Sequence, residues 1–184
     1  MPETTRRILY ADPQTEGTDA TFMAASGLGF THVLLPPPWP ASPRGDRFAP
    51  AALDAPELVN WAKAAEAGGL TLLIDVQVNR LAFGAGAGLG EGLFHATDPR
   101  AVLDPRHAVD LDADTAFPHG KAEAAALGSF WARHAKRWAA QGVRGLRLLG
   151  LDAIAPDSLG AFMHALAQGG TGNRAFRVGA WPEP

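Results

Sequence analysis

Thr71-Leu-Leu-Ile-Asp75-Val-Gln-Val-Asn79-Arg80 reads as a strand buried on both faces, yet it carries a carboxylate in the middle and an amide four residues later. Near-continuous apolar character is what a strand in a covered parallel sheet needs. An ionised group inside such a strand costs several kcal/mol unless it is paired or used. Asp75 therefore needs a partner, and a second apolar run supplies one: Gly145-Leu-Arg147-Leu-Leu-Gly-Leu-Asp152-Ala-Ile154. An Asp75–Arg147 pair between two neighbouring strands is the expectation on which the fold turns.

Working outward, five β-type runs are predicted at 8–10, 32–35, 71–78, 145–154 and 176–181, alternating with four helical stretches. Leu58, Trp61 and Ala65 share one helical face before Gly68-Gly69, and Leu127, Trp131, His134 and Trp138 share another before Gly142. Leu159, Phe162 and Leu166 follow the start signal Pro156-Asp157-Ser158, and a weaker helix is predicted over 18–25. Strands alternating with helices on this scale indicate βαβ units and a parallel sheet.

Two connections, 36–55 and 81–120, are long for a compact domain, and both follow carboxyl ends of strands, where α/β folds build their sites. Residues 1–184 are read as one (β/α) domain.

Bulk properties narrow the function. The 184 residues include 47% hydrophobic side chains, enough for a real core, and the net charge is -3 with no block of one sign. That balance excludes nucleic acid and anionic membrane as default partners and favours a neutral small molecule or another protein. No cysteine is present, which removes thiolate catalysis and Cys-based zinc sites. No stretch approaches the ~20 apolar residues of a membrane span, and the expected location is the cytoplasm.

The glycine tract from Gly84 to Gly92 lacks the i, i+2, i+5 spacing of a dinucleotide loop and has no Gly-Lys-Ser/Thr after it. No Gly-x-Ser-x-Gly elbow occurs. His95, His107 and His119 with Asp98, Asp104, Asp110, Asp112 and Asp114 match no helical His pair and no EF-hand loop. They are read as solvated loop residues, with calcium on Asn79 and one of these aspartates as the alternative and no other cofactor expected. Tyr10, Trp39 and Trp181 sit at predicted strand ends, where aromatic faces suit sugar rings, against a competing reading as core. Trp61, Trp131 and Trp138 lie on helix faces and are assigned to the core.

Taken in order, these segments resemble the α-amylase superfamily, glycoside hydrolase family 13, and within it the maltosyltransferase-like branch. Gly29-Phe30-Thr-His-Val-Leu-Leu-Pro36-Pro-Pro is similar to the segment around the family's second strand, and Asp75-Val-Gln-Val-Asn79-Arg80 to its first conserved region, Asp-x-x-x-Asn-His. Gly142-Val-Arg-Gly-Leu-Arg147-Leu-Leu149 resembles the second region, Gly-Val-Asp-Gly-Phe-Arg-x-Asp; Phe176-Arg-Val-Gly179-Ala180-Trp181 resembles the third, built on Gly-Glu-x-Trp, with Trp181 one place early.

The resemblance implies strands one to five of a (β/α)8 barrel as an incomplete ring, where a closed barrel takes ~250 residues. An open doubly wound sheet is the alternative. It further implies hydrolysis or transfer on an α-glucan or small sugar, with Asp75, Arg147, Asn79, Trp39 and Trp181 as substrate-binding residues. Leu149 and Ala180, however, occupy the family's nucleophile and acid positions, and Arg80 replaces a histidine. Asp152 and Glu183, each three residues on, are the candidate catalytic carboxylates, Asp152 requiring a bulge at Gly150 to regain the right face. A sugar-binding pseudo-enzyme and an open α/β metabolite-binding protein are the rival readings. The open strand edges predict self-association or a missing carboxyl-terminal half.

Overall fold

A computed structural model describes residues 6–12, 18–42, 45–82, 84–85, 92–96, 115–118, 123–168 and 176–179. Within these, the strands are β1 (Ile8–Tyr10), β2 (His32–Leu35), β3 (Thr71–Gln77), β4 (Leu81–Ala82), β5 (Phe94–Ala96), β6 (Thr115–Pro118), β7 (Gly145–Leu149) and β8 (Arg177–Gly179). The helices are α1 (Thr18–Gly27), α2 (Leu58–Ala67), α3 (Ala124–Ala140) and α4 (Pro156–Ala167). No helix among the described residues is long and apolar enough to cross a membrane.

The main sheet has five parallel strands in the order β1-β2-β3-β7-β8. Spatial order therefore equals chain order, and every crossover steps one strand in the same direction. With right-handed connections, such a sheet carries its helices on one face, whereas a doubly wound sheet reverses direction part-way and carries them on both.

Side-chain packing agrees with the first case. The register puts Val33, Leu35, Leu72, Ile74, Val76, Leu146 and Leu148 on one face, and these form the core with Phe22 of α1, Trp61 of α2, Phe130 and Trp138 of α3 and Phe162 of α4. The other face, bearing Tyr10, Leu34, Leu73, Asp75, Gln77, Arg147 and Leu149, contributes no member to that buried cluster. The architecture is thus a singly wound part of a (β/α) barrel, with β1 and β8 at the two edges of an unclosed ring, and the doubly wound alternative fails.

Local sequence explains how the helices dock. α2 ends at Gly68-Gly69, where Gly69 adopts φ +70° and the Leu70 N–H returns to the Ala65 carbonyl. α3 and α4 touch at Gly128, where a Cβ would lie 2.6 Å from the Ser158 carbonyl oxygen and the Phe162 nitrogen. Two indoles of α3 also hold the strand and loop beneath it: Trp131 Nε1 donates to the Val78 carbonyl at 3.1 Å and Trp138 Nε1 to the Leu53 carbonyl at 3.3 Å.

Two expectations need correction. The fourth predicted strand does not reach Ile154: β7 stops at Leu149, Gly150 turns the chain with φ +72°, and Leu151–Ala153 form a 3-10 turn. Continuous hydrophobicity concealed that break, because a left-handed glycine ends a strand without changing the apolar pattern. The 81–120 stretch is also not structureless. β4, β6 and β5 make a small antiparallel sheet, whose strands of two to four residues are too short for an alternating pattern to register. The fifth predicted strand is present over Arg177–Gly179, and residues 180–181 of that run lie outside the described residues.

Candidate functional site at the carboxyl end of the sheet

Asp75 and Arg147 are register partners on β3 and β7, so their side chains leave the same face side by side. Arg147 donates its Nε–H to Asp75 Oδ1 at 2.6 Å and an Nη2–H to Oδ2 at 2.5 Å, a bidentate fork. Asp75 is 0% exposed, while the Arg147 side chain keeps 23% of its surface in contact with solvent. Tyr10 completes the group from β1. Its hydroxyl comes close enough to Asp75 to favour the charged carboxylate, and the Arg147 guanidinium lies 5.4 Å from its ring centroid.

Burial pushes the Asp75 carboxyl above its ordinary value, against the pull of the Arg147 fork and the Tyr10 hydroxyl. Burial and the neighbouring Asp75 charge also raise the Tyr10 phenol, which keeps it protonated and able to donate at neutral pH. The two Asp75 oxygens are thus each committed to a donor of the Arg147 fork. That makes the carboxylate an organiser of its neighbours and a poor nucleophile.

Beyond this pair lies a polar step. Gln77 donates to Asn79 Oδ1 at 2.5 Å, and a Cβ on Gly150 would lie 2.4 Å from that same oxygen. Gly150 is therefore required twice, for its positive φ and for the room it leaves the two amides. Leu149 pairs in register with Gln77 and is buried on the Arg147 face.

The rim is held by the 36–55 loop. Arg47 donates to Asp12 at 2.6 Å, just past β1; Arg80, just past β3, approaches Asp46 at 3.4 Å and donates to the Phe48 carbonyl at 3.1 Å. Arg80 thus anchors the 36–55 loop to the end of β3. Among the described residues each of the three rim and floor cations Arg47, Arg80 and Arg147 faces its own carboxylate.

The other predicted residues fall out as follows. Trp39 is 1% exposed and stacks on Trp138 with ring centroids 5.0 Å apart, so it presents no face to a ligand here. The competing core reading describes its position. Asp152 is exposed on the 3-10 turn after β7, with no bulge returning it to the strand face. Ala180, Trp181 and Glu183 lie outside the described residues, as do His107, His119, Asp98, Asp104, Asp110, Asp112 and Asp114. Among the described residues no group of three or more metal-ligating side chains converges, and Asn79 is engaged with Gln77.

Sequence reasoning missed the Tyr10 hydroxyl contact, Gln77 and the Asp12–Arg47 tie. The period-2 spacing of Asp75 and Gln77 carried a signal for Gln77; nothing local signalled the other two.

Comparison with solved structures gives the same fold. A noncanonic maltogenic α-amylase, AmyB from Thermotoga neapolitana, superposes with a TM-score of 0.70 at 15% identity, over 97% of this chain and 46% of that one. An α-amylase from Geobacillus thermoleovorans in complex with acarbose gives 0.67 at 14% identity, over 94% and 45%. A debranching enzyme from Nostoc punctiforme gives 0.63 at 14% identity, over 89% and 38%. The chain thus spans less than half the length of these structures. No protein-family profile and no curated protein matches the sequence.

Proposed function

We propose that this chain is an α-amylase-like carbohydrate-active domain that recognises an α-glucan or a related neutral sugar, with binding better supported than turnover. The observation that carries this reading is the Asp75–Arg147–Tyr10 group at the carboxyl end of a singly wound (β/α) sheet. It offers a sugar an aromatic ring that is 52% exposed, a guanidinium edge and the neighbouring amides of Gln77 and Asn79. The α-amylases and the debranching enzyme that share the fold act as the guide to ligand class.

Hydrolysis with retention needs two carboxyl groups about 5 Å apart across the scissile bond. Among the described strand residues of the concave face, Asp75 is the one carboxylate, and it is committed to Arg147. One observation favours the enzymatic reading: Asp152 is an exposed carboxylate immediately beyond β7, where the chain leaves the same end of the sheet.

Calorimetric titration with maltotriose and maltoheptaose tests recognition, alongside reducing-sugar release from the same ligands and from maltose 1-phosphate. Saturable binding is expected, weakened about tenfold in Tyr10→Ala by loss of the ring contact. Release that Asp152→Asn abolishes, with binding intact, would move the conclusion to a glycosidase or glucanosyltransferase. No binding at millimolar sugar would overturn the proposal.

A further inference from the structure

His32 opens β2 on the concave face, at the end of the sheet opposite the Asp75–Arg147 pair, and is only 7% exposed. Its neighbours decide where its proton sits. Nε2 lies 3.3 Å from Arg177 Nη1, and a guanidinium has donors only, so Nε2 must accept. The ring hydrogen therefore belongs on Nδ1, which donates to Thr31 Oγ1 at 2.7 Å. Thr31 in turn donates to the Arg7 carbonyl at 3.2 Å and accepts the Arg7 N–H at 3.1 Å. Every hydrogen in this chain has one place, and a neutral imidazole is the form that fits.

Arg177 reaches His32 from the far edge of the sheet. It begins β8, in register with Gly145 of β7 and so with Leu73 of β3 and Leu34 of β2. Its side chain spans the concave face over β7 and β3, and Gly145 makes that route available. A Cβ at Gly145 would sit 2.7 Å from the Arg177 carbonyl oxygen, 2.9 Å from a Leu73 methyl and 3.2 Å from the Arg177 Cβ. Among the described residues β8 is an edge strand with three register pairs to β7.

We infer that His32 is a pH-sensitive latch for β8: neutral, it accepts the Arg177 hydrogen bond and draws the strand onto the concave face; protonated, it repels that guanidinium and releases the strand. Among the described residues the charged groups acting on His32 are Arg177 from β8 and Arg6 from the segment before β1, both cations, while its register neighbours Ile8 and Thr71 carry no charge. Burial first, then Arg177, then Arg6 hold the imidazole below its ordinary value. Stability from the neutral ring is therefore complete above the unfolded value near 6.5 and is lost as pH falls through the lower folded value. The inference is independent of the proposed sugar site.

Three readouts test it on the whole chain. Nitrogen NMR of the imidazole at pH 7.5 should show the Nδ1–H tautomer, and an Nε2–H tautomer would overturn the latch. Amide exchange of β8, corrected for intrinsic rates, should accelerate between pH 7.5 and 5.5 relative to α2; equal acceleration of both would count against release of the strand.

Over the same interval the unfolding constant should rise through His32 by at most about tenfold, the ceiling set by an ordinary imidazole in the unfolded chain. His32→Gln keeps an acceptor for Arg177 and should remove that increment. Arg177→Met, at an exposed position, should shrink it and serves if His32→Gln does not fold. A wild-type pH slope in both variants would refute the inference.

Discussion

Replacing Arg147 with Met should destabilise the protein strongly at neutral pH and progressively less as the solution is acidified. The wild-type fork supplies two hydrogen bonds to a carboxylate with no exposed surface. Removing the guanidinium leaves that carboxylate buried with the Tyr10 hydroxyl close by, at a cost of about 3–5 kcal/mol. The mutant has an escape: Asp75 can take up a proton. Its folded pKa then rises further above the unfolded value of about 3.9, so the folded mutant binds the proton before the unfolded chain does.

A raised carboxyl contributes stability that is full below the unfolded value and lost as pH rises through the folded one. The deficit against wild type should therefore shrink on acidification by up to about 1.4 kcal/mol per pH unit. Asp75→Asn gives the contrasting case. Arg147 stays charged at every accessible pH and is partly hydrated, so its loss should be smaller, about 2–3 kcal/mol, and flat with pH. Joint replacement, Asp75→Leu with Arg147→Met, should recover most of either loss.

Urea unfolding at pH 5 and pH 7 provides the measurement, followed by tryptophan fluorescence, since Trp39, Trp61, Trp131 and Trp138 are all buried. A deficit for Arg147→Met below 1 kcal/mol, or one identical at the two pH values, would refute the burial and pairing argued here.

Trp39→Ala should cost about 3–5 kcal/mol by emptying a stacked core position, visible as a lowered urea midpoint, and should leave sugar affinity unchanged. An affinity loss without destabilisation would return Trp39 to the ligand site. Gly142→Ala should cost about 2–4 kcal/mol, because Gly142 has φ +107° and the new methyl would sit 2.5 Å from the Ala62 Cβ; thermal unfolding within a degree of wild type would contradict that.

The sheet was legible because its signal is dense. β1 and β2 match the predicted runs residue for residue, and β3 differs by one residue at its end. The Asp75–Arg147 pair was legible for a related reason: a charge in an apolar strand has few ways to be satisfied, and the next apolar run carried the complementary group. The site's remainder was not legible, since each piece depends on geometry that no local pattern encodes. Trp39 and Tyr10 both end strands or follow them, yet one ring stacks on Trp138 and the other faces solvent. Only the path of the 36–55 loop decides between them. Arg80 binds Asp46 and the Phe48 carbonyl across a gap of more than thirty residues, and the composition of the Asn79-Arg80 segment says nothing about which loop will come within reach.

The same energetics bear on why a binding reading suits a chain with Leu149 and Ala180 where an α-amylase resemblance calls for carboxylates. A carboxylate that faces a wet cleft is stabilised by water, so replacing it by an apolar residue leaves no unpaired charge behind and costs the fold little. Asp75 is in the opposite position: it is sealed beneath Arg147, and losing the guanidinium strands a carboxylate with no exposed surface. Turnover can therefore be lost from such a scaffold at almost no cost in stability, whereas the ion pair that shapes its floor cannot. A chain that keeps the pair, a half-exposed Tyr10 and the Gln77–Asn79 step, and carries leucine beside them, keeps an intact floor at the carboxyl end of its sheet. This is why affinity, measured separately from product release, is the informative experiment.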